Sequence, residues 1–339
     1  MGGAPLPVVG LPATHYYPQA FQDRRGQLLF TSLESAGPVH GVEHYYLLAA
    51  GQPPANYDGL LKAGSRVYAA TGLDFTEKIY LGLYNGLGVV ERRKPLLKTY
   101  LAIEQQEEFG QNRIGGIAQD KEGYIYLASE SGQLYRLNPE AGLMDTVVLN
   151  LNQENQLPLR LQEIMQLAYD PAANALWGLG RRSGRRNHGI LFRYDLGRCL
   201  TQTYEFSGGS LSSLVIDQNG TLYLGAFNGG SYGQLLRFDE ATGYFRPQND
   251  SKGRNFLNTA KPLYLAIGSG GKIYIGTEGE GLWVYHSTTQ AVEEYSPGTA
   301  EAAGLAFNNY TIYAILPTAD GILWLGTRGG LHRLDLAAR

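Results

Sequence analysis

Residues 320–335 read Asp320-Gly-Ile-Leu-Trp-Leu-Gly-Thr-Arg-Gly-Gly-Leu-His-Arg-Leu-Asp335, and this stretch decides the fold. A turn opens it, an apolar strand carries Trp324 at its centre, and a glycine hinge leads to a second strand. Three close copies lie upstream. Gly270-Gly-Lys-Ile-Tyr-Ile-Gly-Thr277 leads to Gly281-Leu-Trp-Val-Tyr285. Asn219-Gly-Thr-Leu-Tyr-Leu-Gly225 leads to Gly233-Gln-Leu-Leu-Arg-Phe-Asp239, and Glu122-Gly-Tyr-Ile-Tyr-Leu-Ala128 to Gly132-Gln-Leu-Tyr-Arg-Leu137. Weaker copies centre on Trp177, Tyr80 and Phe30. The central aromatics are thus Phe30, Tyr80, Tyr126, Trp177, Tyr223, Tyr274 and Trp324, at intervals of 50, 46, 51, 46, 51 and 50. A period near fifty with about four short strands is the signature of propeller blades. The expected fold is all-β: one seven-bladed propeller over residues 1–339, with four-stranded antiparallel blades.

Size and composition agree with that expectation. A chain of 339 residues exceeds the size at which single cores stop growing, but a propeller adds a slice of core with every blade. A charged fraction of 17% and a net charge of −3 give no global field for nucleic acid or an anionic membrane. The single cysteine, Cys199, excludes an internal disulfide and a cysteine-based zinc site. No apolar run reaches the length of a membrane span. The opening Met-Gly-Gly-Ala-Pro-Leu-Pro has neither a basic nor an apolar leader segment, so no signal peptide is expected in it.

Each repeat opens with an alternating strand assigned to the inner position, as in Arg113–Asp120, Ser210–Asp217 and Tyr310–Leu316. Small residues suit strands that converge on a crowded axis. Asp23-x-x-Gly26, Asp120-x-x-Gly123 and Asp217-x-x-Gly220 then close the first hairpin: Asp bonds the turn backbone, and Gly takes the left-handed position. The last repeat has three strands and only four residues after Asp335. Residues 1–10, with Ala4–Gly10 as the pairing segment, are therefore expected to supply its outer strand and close the ring, removing two exposed edges. Pro5 and Pro7 are tolerable on an edge. Segments 33–66 and 150–162 depart from the template, and Gly51–Gly59 reads as part of a long irregular connection between blades.

The pattern at 320–335, the preceding Gly304–Leu316 and the N-terminal Gly10–Asp23 resemble the two-component regulator propeller repeat. The resemblance runs along the whole chain as a repeat and is tightest in the last two blades. It implies a periplasmic or extracellular sensor of the kind found in hybrid histidine kinases, often recognising glycans. Such sensors usually carry two propellers, a Tyr-rich immunoglobulin-like module, a membrane helix and a kinase. C-terminal signalling modules of that kind, or another protein, are the partners it suggests.

Chemical motifs are few. Gly229-Gly-Ser-Tyr-Gly233 matches G-x-S-x-G, yet that elbow works on a strand–turn–helix and this one bridges two strands, so Ser231 reads as a turn residue. His40, Glu43 and His44 fall on a loop and strand, where their spacing makes no metal site. No nucleotide fingerprint occurs, and no cofactor or catalytic residue is expected. The distinctive feature is Gly180-Arg-Arg-Ser-Gly-Arg-Arg-Asn-His-Gly189, in the connection between the second and third strands of blade four. Arg181, Arg182, Arg185 and Arg186 are expected to share one propeller face with Tyr84, Phe227, Tyr232 and Arg328. Lys252 and Arg254 are placed on the same face. Arginine forks bind carboxylate or sulfate, and aromatics stack on sugar rings. This points to a non-catalytic binding module for an oligosaccharide or acidic glycan fragment. The competing readings are a metal-dependent lactonase or lyase propeller and a protein-interaction platform.

Overall fold

The computed structural model describes strands at 6–7, 15–22, 28–34, 43–48, 55–56, 67–74, 78–83, 86–91 and 96–100. It then describes 113–335 apart from 130, 151–160, 182–188, 229–231, 298–308 and 319–320. Among the described residues the strands form seven four-stranded antiparallel sheets, numbered below by their inner strands. The inner strands are His15–Gln22, Val67–Asp74, Ile114–Gln119, Glu163–Asp170, Ser210–Ile216, Pro262–Ile267 and Ile312–Pro317. In the first six sheets the next three strands add outward in chain order. In the seventh, Ile322–Thr327 and Gly330–Asp335 follow the inner strand, and Leu6–Pro7 is the fourth strand, with Leu6 opposite Arg333 and Pro7 opposite His332. Neighbouring inner strands touch in chain order, and His15–Gln22 also touches Ile312–Pro317, so the sheets stand in a ring like propeller blades.

The core lies in layers between blades. Second strands such as Ile125–Ser129 and Ala175–Arg181 are buried on both faces almost throughout, because a neighbouring blade covers each side. The recurring aromatics point into these layers. Tyr80 packs with Ile114 and Leu127 of the third blade, and Tyr126 with Leu167 and Leu176 of the fourth. Trp177 meets Leu211 and Phe238 of the fifth, Tyr223 meets Ile273 and Tyr285 of the sixth, and Tyr274 meets Ile315 and Leu323 of the seventh. Trp177 is wholly buried, with the Phe238 ring edge-on at 5.7 Å. Aromatic pairs in that arrangement add to the burial term.

Turn chemistry explains the Asp-x-x-Gly spacing. Asp217 Oδ1 accepts the amide N–H groups of Asn219 (2.9 Å) and Thr221 (2.8 Å), and Gly220 sits at φ 77°. Asp120 does the same work for Tyr124 (2.9 Å), and its other oxygen accepts the Tyr126 hydroxyl at 3.2 Å. The turn aspartate and the central aromatic are therefore one hydrogen-bonded unit. The hinge glycine has a different cause. A Cβ on Gly233 would overlap the carbonyl oxygen of Ala260, where the chain enters the next blade.

Hydrogen bonds also join inner strands directly. The Gln166 side-chain amide donates to the Leu214 carbonyl (3.0 Å) and its oxygen accepts the Leu214 N–H (2.8 Å), copying a backbone bridge between blades four and five. Ser213 Oγ accepts the Leu265 N–H at 3.1 Å across the next junction. All seven inner strands break register near their starts, for example between Ile114 and Gly116 and between Leu211 and Ser213. Such bulges increase local twist where the strands crowd the axis.

One expectation needs correction. Glu43–Leu48 and Ala55–Asn56 are the third and fourth strands of blade one, so 51–59 is not wholly an irregular connection. A strand of two residues cannot display an alternating pattern, which is why it was not legible.

Candidate functional site

In every sheet the end of the second strand pairs with the start of the inner strand. Glu163 lies opposite Arg181, Ser210 opposite Phe227, Pro262 opposite Thr277 and Ile312 opposite Thr327. Connections from second to third strand, and from fourth strand to the next blade, therefore leave at the same end. Arg181, Phe227, Tyr232 and Arg328 belong to that end. Tyr84, Arg182, Arg185 and Arg186 lie outside the described residues, as do Ser231 and His40.

Arg181 is already engaged. Its Nε donates to Glu163 Oε1 at 2.7 Å, and Nη2 reaches the same oxygen at 2.6 Å. The two residues face each other across the ladder, so register itself makes the pair. At 47% side-chain exposure such a bridge stabilises little, about 0.5–1 kcal/mol. Its chemical consequence is larger, because part of the first arginine's charge is met before any ligand arrives.

Phe227 is half-buried, and Lys261 Nζ stands 4.6 Å from its ring centroid. The same ammonium lies 2.7 Å from Glu278 Oε2, and the Glu278 N–H donates to the Lys261 carbonyl at 2.9 Å. Lys261 thus ties blade five to blade six at the loop end. Sequence reasoning missed it, since its partners come from separate repeats and no local signal marks it. Tyr232 is 61% exposed, an aromatic face open to solvent. Its carbonyl accepts the Asn228 N–H at 3.1 Å and so closes the turn that bears it. Arg328 is exposed, and its backbone N–H donates to the Thr311 carbonyl at 3.1 Å.

The described loop end therefore alternates cations, aromatic rings and carboxylates, an arrangement suited to a polar ligand. Ser231 is flanked by strands Leu222–Phe227 and Gly233–Asp239, where a nucleophile elbow would need a helix on one side. Among the described residues no group of three or more His, Cys, Asp or Glu is placed to hold a metal. An acid–base cluster does occur in the outer strands of blade six. Glu293 Oε1 lies 2.7 Å from His286 Nε2, and Glu293 Oε2 accepts the Tyr295 hydroxyl at 2.7 Å. Desolvation acts to raise the Glu293 carboxyl, but the Tyr295 and His286 hydrogen bonds together hold it below its ordinary value.

Residues 306–329, in the last blade, match the family model described as two component regulator propeller. No curated protein matches the chain in sequence. Among solved structures, the extracellular domain of the hybrid two component system BT4673 from B. thetaiotaomicron aligns with TM-score 0.66 and 17% identity. That alignment covers 98% of this chain and 39% of the other. PorZ, a surface component of the type-IX secretion system of Porphyromonas gingivalis, aligns with TM-score 0.68 at 14% identity over 93% of this chain and 46% of its own. A catalytically inactive virginiamycin B lyase from Staphylococcus aureus, solved with quinupristin, aligns with TM-score 0.68 at 13% identity over 98% of both chains. The chain spans about two fifths of the length of the two-component domains it resembles. At these identities the likeness shows a shared propeller fold. No helix among the described residues is long and apolar enough to cross a membrane.

Proposed function

We propose that this chain is a non-catalytic sensor propeller, working outside the cytoplasm, that binds an acidic oligosaccharide at its loop end. The observation that carries the reading is the sequence run of four arginines that begins at Arg181, a residue at the end that also bears Phe227, Tyr232, Lys261 and Arg328. The family repeat at 306–329 and the extracellular two-component domains of the same fold support the sensor role. A cationic rim on a mildly acidic protein raises the encounter rate of anionic ligands, and nucleic acid would want a longer basic track. The same proposal includes the ring closure: the pairing of Leu6–Pro7 with Gly330–Asp335 supports the N-terminal segment as the outer strand of blade seven.

Because Glu163 engages Arg181, binding falls mainly to Arg182, Arg185 and Arg186. Exposed arginine contacts contribute about 0.5–1 kcal/mol each, so changing Arg181, Arg182, Arg185 and Arg186 together to Ser should weaken binding about tenfold or more. A glycan array followed by calorimetry on the strongest hit tests this, with melting checked to show that the fold survives. A neutral hit, bound equally well by the quadruple variant, would overturn the proposal. One observation favours a second reading as a propeller enzyme: the virginiamycin B lyase matches over nearly its full length.

A further inference from the structure

A cavity of about 450 Å³ lies between the connection from blade five to blade six and the outer strands of blade six. One wall is the connection that follows strand Tyr244–Gln248; the other is formed by strands Leu282–His286 and Val292–Tyr295. Its volume falls in the usual range for small-molecule sites, and its lining combines an aromatic floor with polar groups.

The loop wall is held in shape by its own side chains. Asp250 Oδ1 accepts the N–H groups of Lys252 (2.9 Å) and Arg254 (2.8 Å), while Oδ2 accepts Arg254 Nε at 2.9 Å. Asn255 donates to the Gly233 carbonyl at 3.0 Å and accepts the Leu257 N–H at 3.1 Å. Asp250 and Asn255 are thus committed to building the wall. Ser251, Lys252 and Asn258 also line the cavity, are exposed, and make no side-chain hydrogen bond to other described residues.

The floor is aromatic. Phe256 stacks on Tyr285 with ring centroids 5.4 Å apart, and Trp283 lies 6.1 Å from Phe256. Trp283 is 8% exposed and lines the cavity, and its indole Nε1 is buried with no hydrogen-bond acceptor. The wholly buried Trp177 indole is in the same state, so the part of Trp283 open to the cavity is its ring edge rather than its N–H. Charge then narrows the ligand. The lining has two cations, Lys252 and Arg254, and two carboxylates, Asp250 and Glu294, with Asp250 and Arg254 paired at 2.8 Å. Nothing here selects for net charge.

We propose that this cavity beside blade six is a separate binding site for a neutral sugar unit. Ser251, Lys252 and Asn258 meet the hydroxyls, and the Phe256–Trp283 edge takes the apolar side of the ring. The site shares no residue with the arginine loop, so either assignment can fail without the other.

The test is a titration of the whole chain with N-acetylglucosamine, galactose, maltose, cellobiose and the anion galacturonate, read by calorimetry and tryptophan fluorescence. At least one neutral saccharide should bind with a dissociation constant of about 10 mM or tighter. Asn258→Trp, which fills the cavity from an exposed loop position, should weaken that binding tenfold or more. The double change Lys252→Ser and Asn258→Ser, which adds no bulk, should weaken it at least fivefold should the larger side chain disturb folding. The fluorescence response should vanish in Trp283→Phe, and the quadruple arginine variant should bind the neutral sugar normally. No neutral saccharide binding, a preference for galacturonate, or affinity unchanged in both loop variants would overturn the proposal.

Discussion

Gly233 and Gly253 separate two reasons for glycine in this fold. Gly253 needs a left-handed backbone, with φ 77°, but a Cβ there would meet nothing within 4 Å. At Gly233 a Cβ would strike the Ala260 carbonyl, which belongs to the next blade's entry segment. Gly253→Ala should therefore cost about 1 kcal/mol of backbone strain. Gly233→Ala should cost several kcal/mol, because backbone must move. Paired thermal melts check this, and equal losses would contradict the packing account. His332 adds a pH dependence. Burial holds its imidazole neutral, with a pKa lowered to about 4, although it sits on a strand in the seventh sheet. The unfolded chain takes up that proton near pH 6.5 and the folded chain only near pH 4, so stability is full above pH 6.5 and falls as pH drops through this window. By pH 5 the loss from this group reaches about 2 kcal/mol. His332→Phe should flatten the fall between pH 7 and pH 5 relative to the parent; identical pH profiles would contradict the assignment.

At the scale of elements, the second strands were the most legible part of the sequence. Two blades cover each of them, so their apolar runs around Tyr126, Trp177, Tyr223, Tyr274 and Trp324 stand out without alternation. Asp120 and Asp217 were legible for a local reason, since each bonds a turn amide no more than four residues away. The site was harder to read. Lys261 meets Phe227 and Glu278 only because two blades adjoin, and the Phe256–Tyr285 stack joins a loop to a strand of the next blade. Such contacts leave no trace in residue spacing. The N-terminal strand gives the prediction at this scale. If its pairing with Gly330–Asp335 closes the ring, deleting residues 1–10 should lower the melting temperature by several degrees and promote association through the freed edge. A truncated protein that melts like the parent as a clean monomer would contradict the closure.

For the whole molecule, the ring geometry gives the two ends different surfaces. One end carries the tight Asp-x-x-Gly turns, whose polar groups are spent on their own backbone. The other carries the connections with Arg181, Lys261, Tyr232 and Arg328. A ligand recognised by side chains should therefore sit at the second end, at an affinity that falls with ionic strength. Hydrogen–deuterium exchange with and without a saturating acidic oligosaccharide tests that claim most directly. The account predicts slowed exchange in peptides covering 180–189, 227–233 and 326–330, with 120–124 and 217–221 unchanged. Protection confined to the turns at 120–124 and 217–221, or none at the loop end while binding is saturated, would contradict it.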